Sequence, residues 1–312
     1  MKVFVTGGTG LVGRRLVGRL LDRGDEVLLL TRDRQNAESV GLKEGPRLSL
    51  VKGDPAFIGS AWREAVPECD AVVNLAGENI FGKRWTDEHK KKLRDSRIGS
   101  TRNVVAAIGW AASALRPKVL VSASAIGYYG PREGDETLTE DAHPGDDFLA
   151  RLCIDWEEAA RGASAYGTRV VVLRIGVVLD QSGGALAQMV PPFKMFVGGP
   201  IGSGKQWFSW VHVDDVVGLI VHALDNAGVR GPLNATAPEP VRAGEFAQAL
   251  GRVLGRPAWF KVPRFALRLK LGEVADVVAS GQRVAPAAAL RHGFAFRYEK
   301  VSDALDAELL QA

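Results

Sequence analysis

The run Thr6-Gly7-Gly8-Thr9-Gly10-Leu11-Val12-Gly13 lies between an apolar segment, Val3–Thr6, and an amphipathic segment that begins at Leu11. Gly7, Gly10 and Gly13 follow a GxxGxxG spacing, which between a strand and a helix is the signature of a loop that takes a dinucleotide pyrophosphate. The first glycine permits the sharp turn at the strand end. The second lets the pyrophosphate approach bare backbone, and the third lets helix and strand pack closely. The helix N-terminus then offers free N–H groups and positive partial charge to the phosphates. In a chain with 36 glycines the spacing alone means little; the strand-turn-helix context carries the reading. Gly7, Thr9, Gly10, Leu11 and Val12 are therefore the first cofactor-binding candidates.

Cofactor choice is read at the end of the second apolar run, where an acid would hold the ribose 2′-hydroxyl of NAD. Here the run ends Thr31-Arg32-Asp33-Arg34. A guanidinium at Arg32, assisted by Arg34, suits a bidentate grip on the 2′-phosphate of NADP(H). Such a charge-assisted bond is worth roughly 1.5–3 kcal/mol, enough for about tenfold preference or more. Asp33 would hold a hydroxyl if the loop turned differently.

Two other clusters resemble sites. His212 with Asp214 and Asp215 has acid/base or metal chemistry, but an apolar helical pattern follows through Val217, Ile220 and Val221, so Asp214 is expected to cap a helix. Gly199 to Gln206 nearly matches the phosphate loop GxxxxGK[ST]. Gln206 replaces the magnesium-holding hydroxyl, and Trp207, Phe208 and Trp210 follow where a helix should start. The segment is read instead as a wall of a substrate cleft, with Lys205 facing an anion. No His, Cys or carboxylate grouping has zinc spacing, and no metal is expected.

The elements that position these residues are legible in the hydrophobic pattern. Val3–Thr6, Val27–Thr31, Leu48–Val51, Ala71–Asn74, Val119–Ser122 and Val170–Arg174 are short, continuous, β-branched runs, each followed by an amphipathic segment of helix length. Runs of that kind suit strands buried on both faces, and their alternation with helices predicts an α/β fold, a doubly wound parallel Rossmann sheet. In the first helix Leu11, Leu16, Leu20 and Leu21 share one face, and Gly24 offers a stop. After Leu179 the segments shorten and Gly and Pro multiply. Residues 1–179 are thus expected to form the dinucleotide-binding core and 180–209 with 237–312 a smaller C-terminal substrate lobe, while 210–236 return to the core. A ligand is expected in the cleft between them.

At 312 residues, 46% hydrophobic and 24% charged, the chain is neither disordered nor fibrous. Cys69 and Cys153 lack CxxC spacing and read as buried thiols in a reducing compartment. Apolar stretches such as Val170–Leu179, interrupted by Arg174, fall short of the ~20 residues that span a bilayer. With a strand already at Lys2–Thr6 no leader peptide is expected, so the location is read as cytoplasmic with no membrane partner. A net charge of +4 with scattered cations argues against nucleic acid. The densest run, His89–Arg94, sits among acids and reads as a solvated helix face. The partner is a small molecule, and a homodimer is allowed.

Taken together, TGGTGLVG from Thr6, Asn74-Leu75-Ala76-Gly77, Ser122-Ala123-Ser124 and Trp210 to Val216 resemble an extended short-chain dehydrogenase/reductase. GENIFGKRW from Gly77, SASAIGYYG at Ser122–Gly130, DFLARLCIDWE ending at Glu157, and Gly281-Gln282-Arg283-Val284 resemble its atypical, epimerase-like family, labelled nucleoside-diphosphate-sugar epimerase. The resemblance runs nearly end to end. It implies that Gly53-Asp54 flanks the adenine, that Asn74, Ala76 and Gly77 line the adenosine ribose, and that Ser122 and Ser124 lie near the nicotinamide.

The chain departs from that class where the chemistry is done. Catalytic members use a tyrosine whose pKa is lowered by a lysine one helical turn later. The corresponding segment, Phe148 to Cys153, has neither, and no lysine occurs between Lys118 and Lys194. Arg97 and Ser100 stand where such folds often show asparagine and glycine. The remaining catalytic candidates are Ser124 with Tyr128 or Tyr129, and Lys83 and Arg84 join Lys205 as candidates for holding an anionic substrate. Two functions fit: an NADP(H)-dependent oxidoreductase or epimerase acting on a small polar or nucleotide-linked substrate, and a non-catalytic NADP(H)-binding regulator or scaffold.

Overall fold

A computed structural model describes residues 1–57, 61–262 and 264–310; residues 263, 311 and 312 of the expected lobe lie outside it. The first seven strands are β1 (Lys2–Thr6), β2 (Glu26–Thr31), β3 (Leu48–Lys52), β4 (Ala71–Asn74), β5 (Val119–Ala125), a short β6 (Thr137–Leu138) and β7 (Arg169–Ile175). All of these but β6 join the edge strand Gly231–Ala235 in a parallel seven-stranded sheet ordered Gly231–Ala235, β7, β5, β4, β1, β2, β3, while the remaining short strands pair in twos outside it.

Side chains alternate across this sheet with period two. Val3, Val5, Leu29, Val73 and Val121 pack on one face against Leu16, Val17 and Leu20 of α1 (Leu11–Asp22) and against the helix Val213–Asp225. Phe4, Leu28, Leu30, Val72 and Leu120 pack on the other, against Trp62, Val104 and Ile108. Both faces are dry, which is why the strands read as unbroken apolar runs. A separate buried set, including Leu179, Leu186, Phe193, Trp210, Phe246 and Leu250, gathers beside the sheet.

The order in which strands are added reverses between β1 and β4, the parallel neighbours at the sheet's switch point. In open α/β sheets ligands bind beyond the carboxyl ends of the strands at that point. The residues 199–206 form turns and lead into a strand, Trp207–Phe208, so no phosphate-loop helix follows them. His89–Arg94 lies on the helix Asp87–Arg94, where Lys91, Lys92 and Arg94 are exposed and pair with Asp95, Glu78 and Asp155. One local expectation is corrected: the cap of the helix Val213–Asp225 is His212, whose Nδ1 accepts from the Asp214 backbone N–H at 3.1 Å, and not Asp214. The neighbouring Asp215 accepts from the backbone of Arg297 and Tyr298, tying the C-terminal segment to this helix.

Candidate functional site

The glycine loop separates into residues the fold needs and one it does not. Gly7 has φ +70°, and a Cβ there would lie 2.5 Å from the Leu75 carbonyl carbon. A Cβ on Gly13 would lie 2.3 Å from the Gly7 oxygen. Both positions are closed by the backbone of the protein itself. Gly10, the N-cap of α1, has extended backbone (φ −77°, ψ 177°), and a Cβ on it would meet only the Gly7 oxygen, at 3.2 Å. No side chain caps α1. Its first N–H groups therefore open onto a bare cradle at the switch point, the arrangement that suits a pyrophosphate.

At the end of β2, Asp33 caps the short helix Arg34–Ser39 by accepting from Gln35 and Asn36 N–H at 2.9 and 3.3 Å. Arg34 is tied to Glu44 and to the Leu50 carbonyl. Arg32 is exposed and has no hydrogen-bond or ion-pair partner among the described residues. The acid and one arginine are thus committed within the fold, and the other arginine is free for an anion.

Asn74 and Ser122 are fully buried, and register explains their partners. Thr6, Asn74 and Ser122 stand side by side on β1, β4 and β5. The Thr6 hydroxyl donates to Asn74 Oδ1 at 2.7 Å, while Asn74 Nδ2 donates to Ser122 Oγ at 3.2 Å and to Thr101 Oγ1 at 2.9 Å. Trp156 Nε1 also donates to Thr101 Oγ1. This polar ladder pins three strand ends beneath the groove. Ala76 and Gly77 continue along its rim, and Arg97 braces them by donating to the Glu78 carbonyl at 2.8 Å. Burial lowers the pKa of Arg97. Asp54 turns the chain after β3, accepting from the Ala56 N–H.

Beyond β5 and β7 lies a buried charged network. Arg174 on β7 grips Glu157 of the helix Phe148–Arg161 through Nε and Nη2, at 2.8 and 3.0 Å. Its Nη1 donates to Tyr129 OH at 3.0 Å and to the Glu140 carbonyl at 3.1 Å. The Tyr129 hydroxyl donates to Asn234 Oδ1 at 2.7 Å, and the Ser124 hydroxyl donates to Glu157 Oε1 at 3.0 Å. Glu140 accepts from the backbone of Asn234 and Ala288. Burial pushes the Tyr129 phenol up to about 12. For Arg174 burial works downward, but the bonds and charge of Glu157 leave its pKa raised. Burial likewise pushes the Cys153 thiol up to about 12, and both cysteines are free and buried.

Of the three catalytic candidates, Ser124 and Tyr129 thus direct their hydroxyls into the protein. Tyr128 is half-buried, with the Arg174 guanidinium over its ring at 3.5 Å, and its hydroxyl has no hydrogen-bond partner among the described residues. Sequence reasoning missed Arg174, Glu157, Glu140 and Asn234 as a unit. The available signal was Arg174 itself: an arginine in a strand buried on both faces requires a carboxylate partner.

A cavity of about 510 Å3 opens beside this network, lined by Trp85, Phe148, Leu149 and Val277 and by Gly127 and Gly130. Asp147, Glu273, Asp276 and Gln282 supply its polar lining. Phe148 and Leu149, on the segment where the resemblance implies a tyrosine–lysine pair, present apolar surface to it. Lys83 and Arg84 are exposed on the loop before Asp87, and Arg84 donates to the Leu269 carbonyl. Lys205 is exposed on the 199–206 turns, its carbonyl accepting from Arg242 at 2.5 Å. None of these three lysines and arginines is among the described residues that line the cavity. No group of three or more His, Cys, Asp or Glu able to hold a metal occurs among the described residues.

Comparison with known proteins places this geometry. The chain is 48% identical over 308 residues to an Arabidopsis thaliana protein named epimerase family protein SDR39U1 homolog, chloroplastic, covering 98% of this chain and 86% of that protein. It is 40% identical to Bacillus subtilis epimerase family protein YfhF, covering 98% and 97%. The human epimerase family protein SDR39U1 (isoform 2), crystallised with NADPH, superposes over the whole of both chains with a TM-score of 0.86 at 36% identity. A Bacillus cereus UDP-glucuronic acid 4-epimerase shares the fold, with a TM-score of 0.78 at 18% identity over 99% and 98% of the two chains. A model of a domain of unknown function, DUF1731, matches residues 262–308. The family model for NAD dependent epimerases and dehydratases matches residues 3–235, and the chain belongs to that family.

Proposed function

We propose that this protein is an NADP(H)-dependent oxidoreductase of epimerase-like type that acts on a small polar or nucleotide-linked molecule in the cleft beside Phe148. The observation that carries the cofactor half is the unpartnered Arg32 beside the open Gly10 cradle, with Asp33 occupied as a helix cap. Backbone N–H groups from Gly7 to Val12 would hold the pyrophosphate, Arg32 the 2′-phosphate, and Asp54, Ala76 and Gly77 the adenosine. Asn74 and Ser122 act from below by fixing the strand ends. The human relative crystallised with NADPH supports this assignment. When bound, the cofactor supplies or accepts a hydride.

Proton handling falls to Tyr128, whose hydroxyl is uncommitted, while Ser124 and Tyr129 hold the loop that carries it. Lys83, Arg84 and Lys205 would meet an anionic substrate end at the cleft mouth. In this reading residues 1–179 with 210–236 form the cofactor core, and 180–209 with 237–312 form the substrate lobe. Two buried free thiols suit a cytoplasmic setting.

A second reading, a non-catalytic NADP(H)-binding regulator, is favoured by one observation: apolar Phe148 and Leu149 line the cleft where the class carries its tyrosine and lysine. The two readings separate in one experiment. Protein loaded with NADPH is mixed with a panel of sugar nucleotides and small carbonyl compounds, and cofactor absorbance is followed. Saturable oxidation by any of them supports the enzyme. Tight NADPH binding with no oxidation across the panel supports the regulator.

A further inference from the structure

The C-terminal portion carries a surface whose exposed side chains do not line the cavity. Residues 252–271 include six cations, Arg252, Arg256, Lys261, Arg264, Arg268 and Lys270, and no Asp or Glu. The same stretch exposes large apolar side chains: Trp259 is 68% exposed, Phe265 76% and Leu269 78%. Phe265 and Leu269 are four residues apart on the helix Arg264–Leu271 and so share one face. A second segment joins them. Phe260 N–H donates to the Gly198 carbonyl, and Arg256 lies 4.6 Å over the Phe196 ring. This brings the exposed Met195, Phe196 and Val197 alongside. A shallow hollow of about 560 Å3, lined by Arg252, Arg256 and Trp259, lies within the same surface.

We propose that this surface docks on an anionic lipid bilayer. Charge complementarity selects the occupant. Protruding aromatic and aliphatic side chains set among an excess of positive charge match an interface whose headgroups are negative and whose interior is apolar. Among the described cations of the stretch, Arg252, Arg256, Lys261 and Arg268, one ion pair is formed, Arg268 with Asp276 at 3.7 Å. A second copy of the chain would bring like charge against like charge. Single-stranded nucleic acid would use the cations and rings but would leave Met195, Val197 and Leu269 without a stacking role. The contact is peripheral, since no helix among the described residues is long and apolar enough to cross a membrane. The expectation of no membrane partner rested on spanning length and on the expected lack of a leader peptide, criteria that do not detect surface docking.

The test uses the full chain in co-sedimentation with vesicles of phosphatidylcholine alone and with vesicles of three parts phosphatidylcholine to one part phosphatidylglycerol. The bound fraction should be about tenfold higher on the anionic vesicles and should fall at high salt. Phe265→Ser with Leu269→Ser, both at exposed positions, should lower that binding about tenfold while NADPH affinity is unchanged. Lys261→Glu with Arg268→Glu should do the same by charge alone. Equal binding to both vesicle types, no binding to either, or anionic binding untouched by both double variants would overturn the proposal. So would a size-exclusion dimer, or binding of a single-stranded oligonucleotide, that persists in wild type without vesicle binding and is lost in the Ser double variant.

Discussion

The Arg174 guanidinium meets both oxygens of the Glu157 carboxylate, at 2.8 and 3.0 Å, with neither side chain more than 2% exposed. Two charges held this far from water are stable only as a pair, because each satisfies the other's lost hydration. Removing one partner strands the other. Glu157→Ala or Arg174→Met should therefore cost about 3–5 kcal/mol in denaturant unfolding, and the double variant Arg174→Met with Glu157→Met should recover part of that loss. Single variants that unfold within about 1 kcal/mol of wild type would remove the network from any structural role.

The glycine loop predicts a division between folding and binding. Gly13→Ala places a Cβ against backbone at 2.3 Å that cannot give way, so it should destabilise by about 1–3 kcal/mol or more. Gly10→Val sits in extended backbone that a β-branched residue adopts readily, with one contact at 3.2 Å. It should fold, with melting near wild type, and lose NADPH binding by more than about tenfold as bulk fills the cradle. Calorimetric titration decides; wild-type affinity in a folded Gly10→Val would show that the dinucleotide lies elsewhere.

At the end of β2, Arg32→Ala should reduce the preference for NADPH over NADH by about tenfold or more, the worth of a charge-assisted bond. Asp33→Ala should instead cost about 1 kcal/mol of stability by uncapping its helix, with NADH affinity little changed. If Asp33→Ala abolished NADH binding and Arg32→Ala changed nothing, the roles of the two residues would be reversed.

The sheet was legible because its strands are dry on both faces, so that Val3–Thr6 or Val119–Ser122 stand out against the helices. The edge strand Gly231–Ala235 did not: its residues, GPLNA, include a glycine, a proline and an asparagine, tolerated there because an edge strand leaves one side unpaired. Within the site, the glycine loop could be read because its spacing falls in one short segment between β1 and α1, and Arg32 drew notice from its place after the end of β2. Asn74 and Ser122 read as groups facing a cofactor, yet register turns them toward each other. The charged network joins residues 17, 45 and 105 positions apart, a distance over which no local pattern operates. His212 took the capping role expected of Asp214 because its ring nitrogen reaches the N–H of the second helical residue.

The two adjacent tyrosines are expected to behave differently. Tyr129 is fully buried, with its hydroxyl held by Arg174 and Asn234, and burial raises its pKa to about 12. The fold therefore favours the protonated phenol. That contribution is whole below the ordinary tyrosine value of about 10 and is lost as pH rises through about 12. In an ultraviolet titration of the folded protein, one of the four tyrosines should ionise only near 12, and Tyr129→Phe should delete that phase. A hydroxyl committed in this way to Asn234 and Arg174 is expected to hold the loop and not to pass its proton to a substrate. Tyr129→Phe should lower stability by about 1–3 kcal/mol, since it leaves buried Asn234 Oδ1 and an Arg174 N–H with one partner fewer, and should leave turnover per folded molecule nearly intact. Tyr128→Phe should do the opposite, lowering turnover by roughly 10²–10⁴ on a verified substrate with stability and NADPH affinity little changed. Full activity in Tyr128→Phe, or loss of activity in Tyr129→Phe without loss of stability, would assign the proton to a different group.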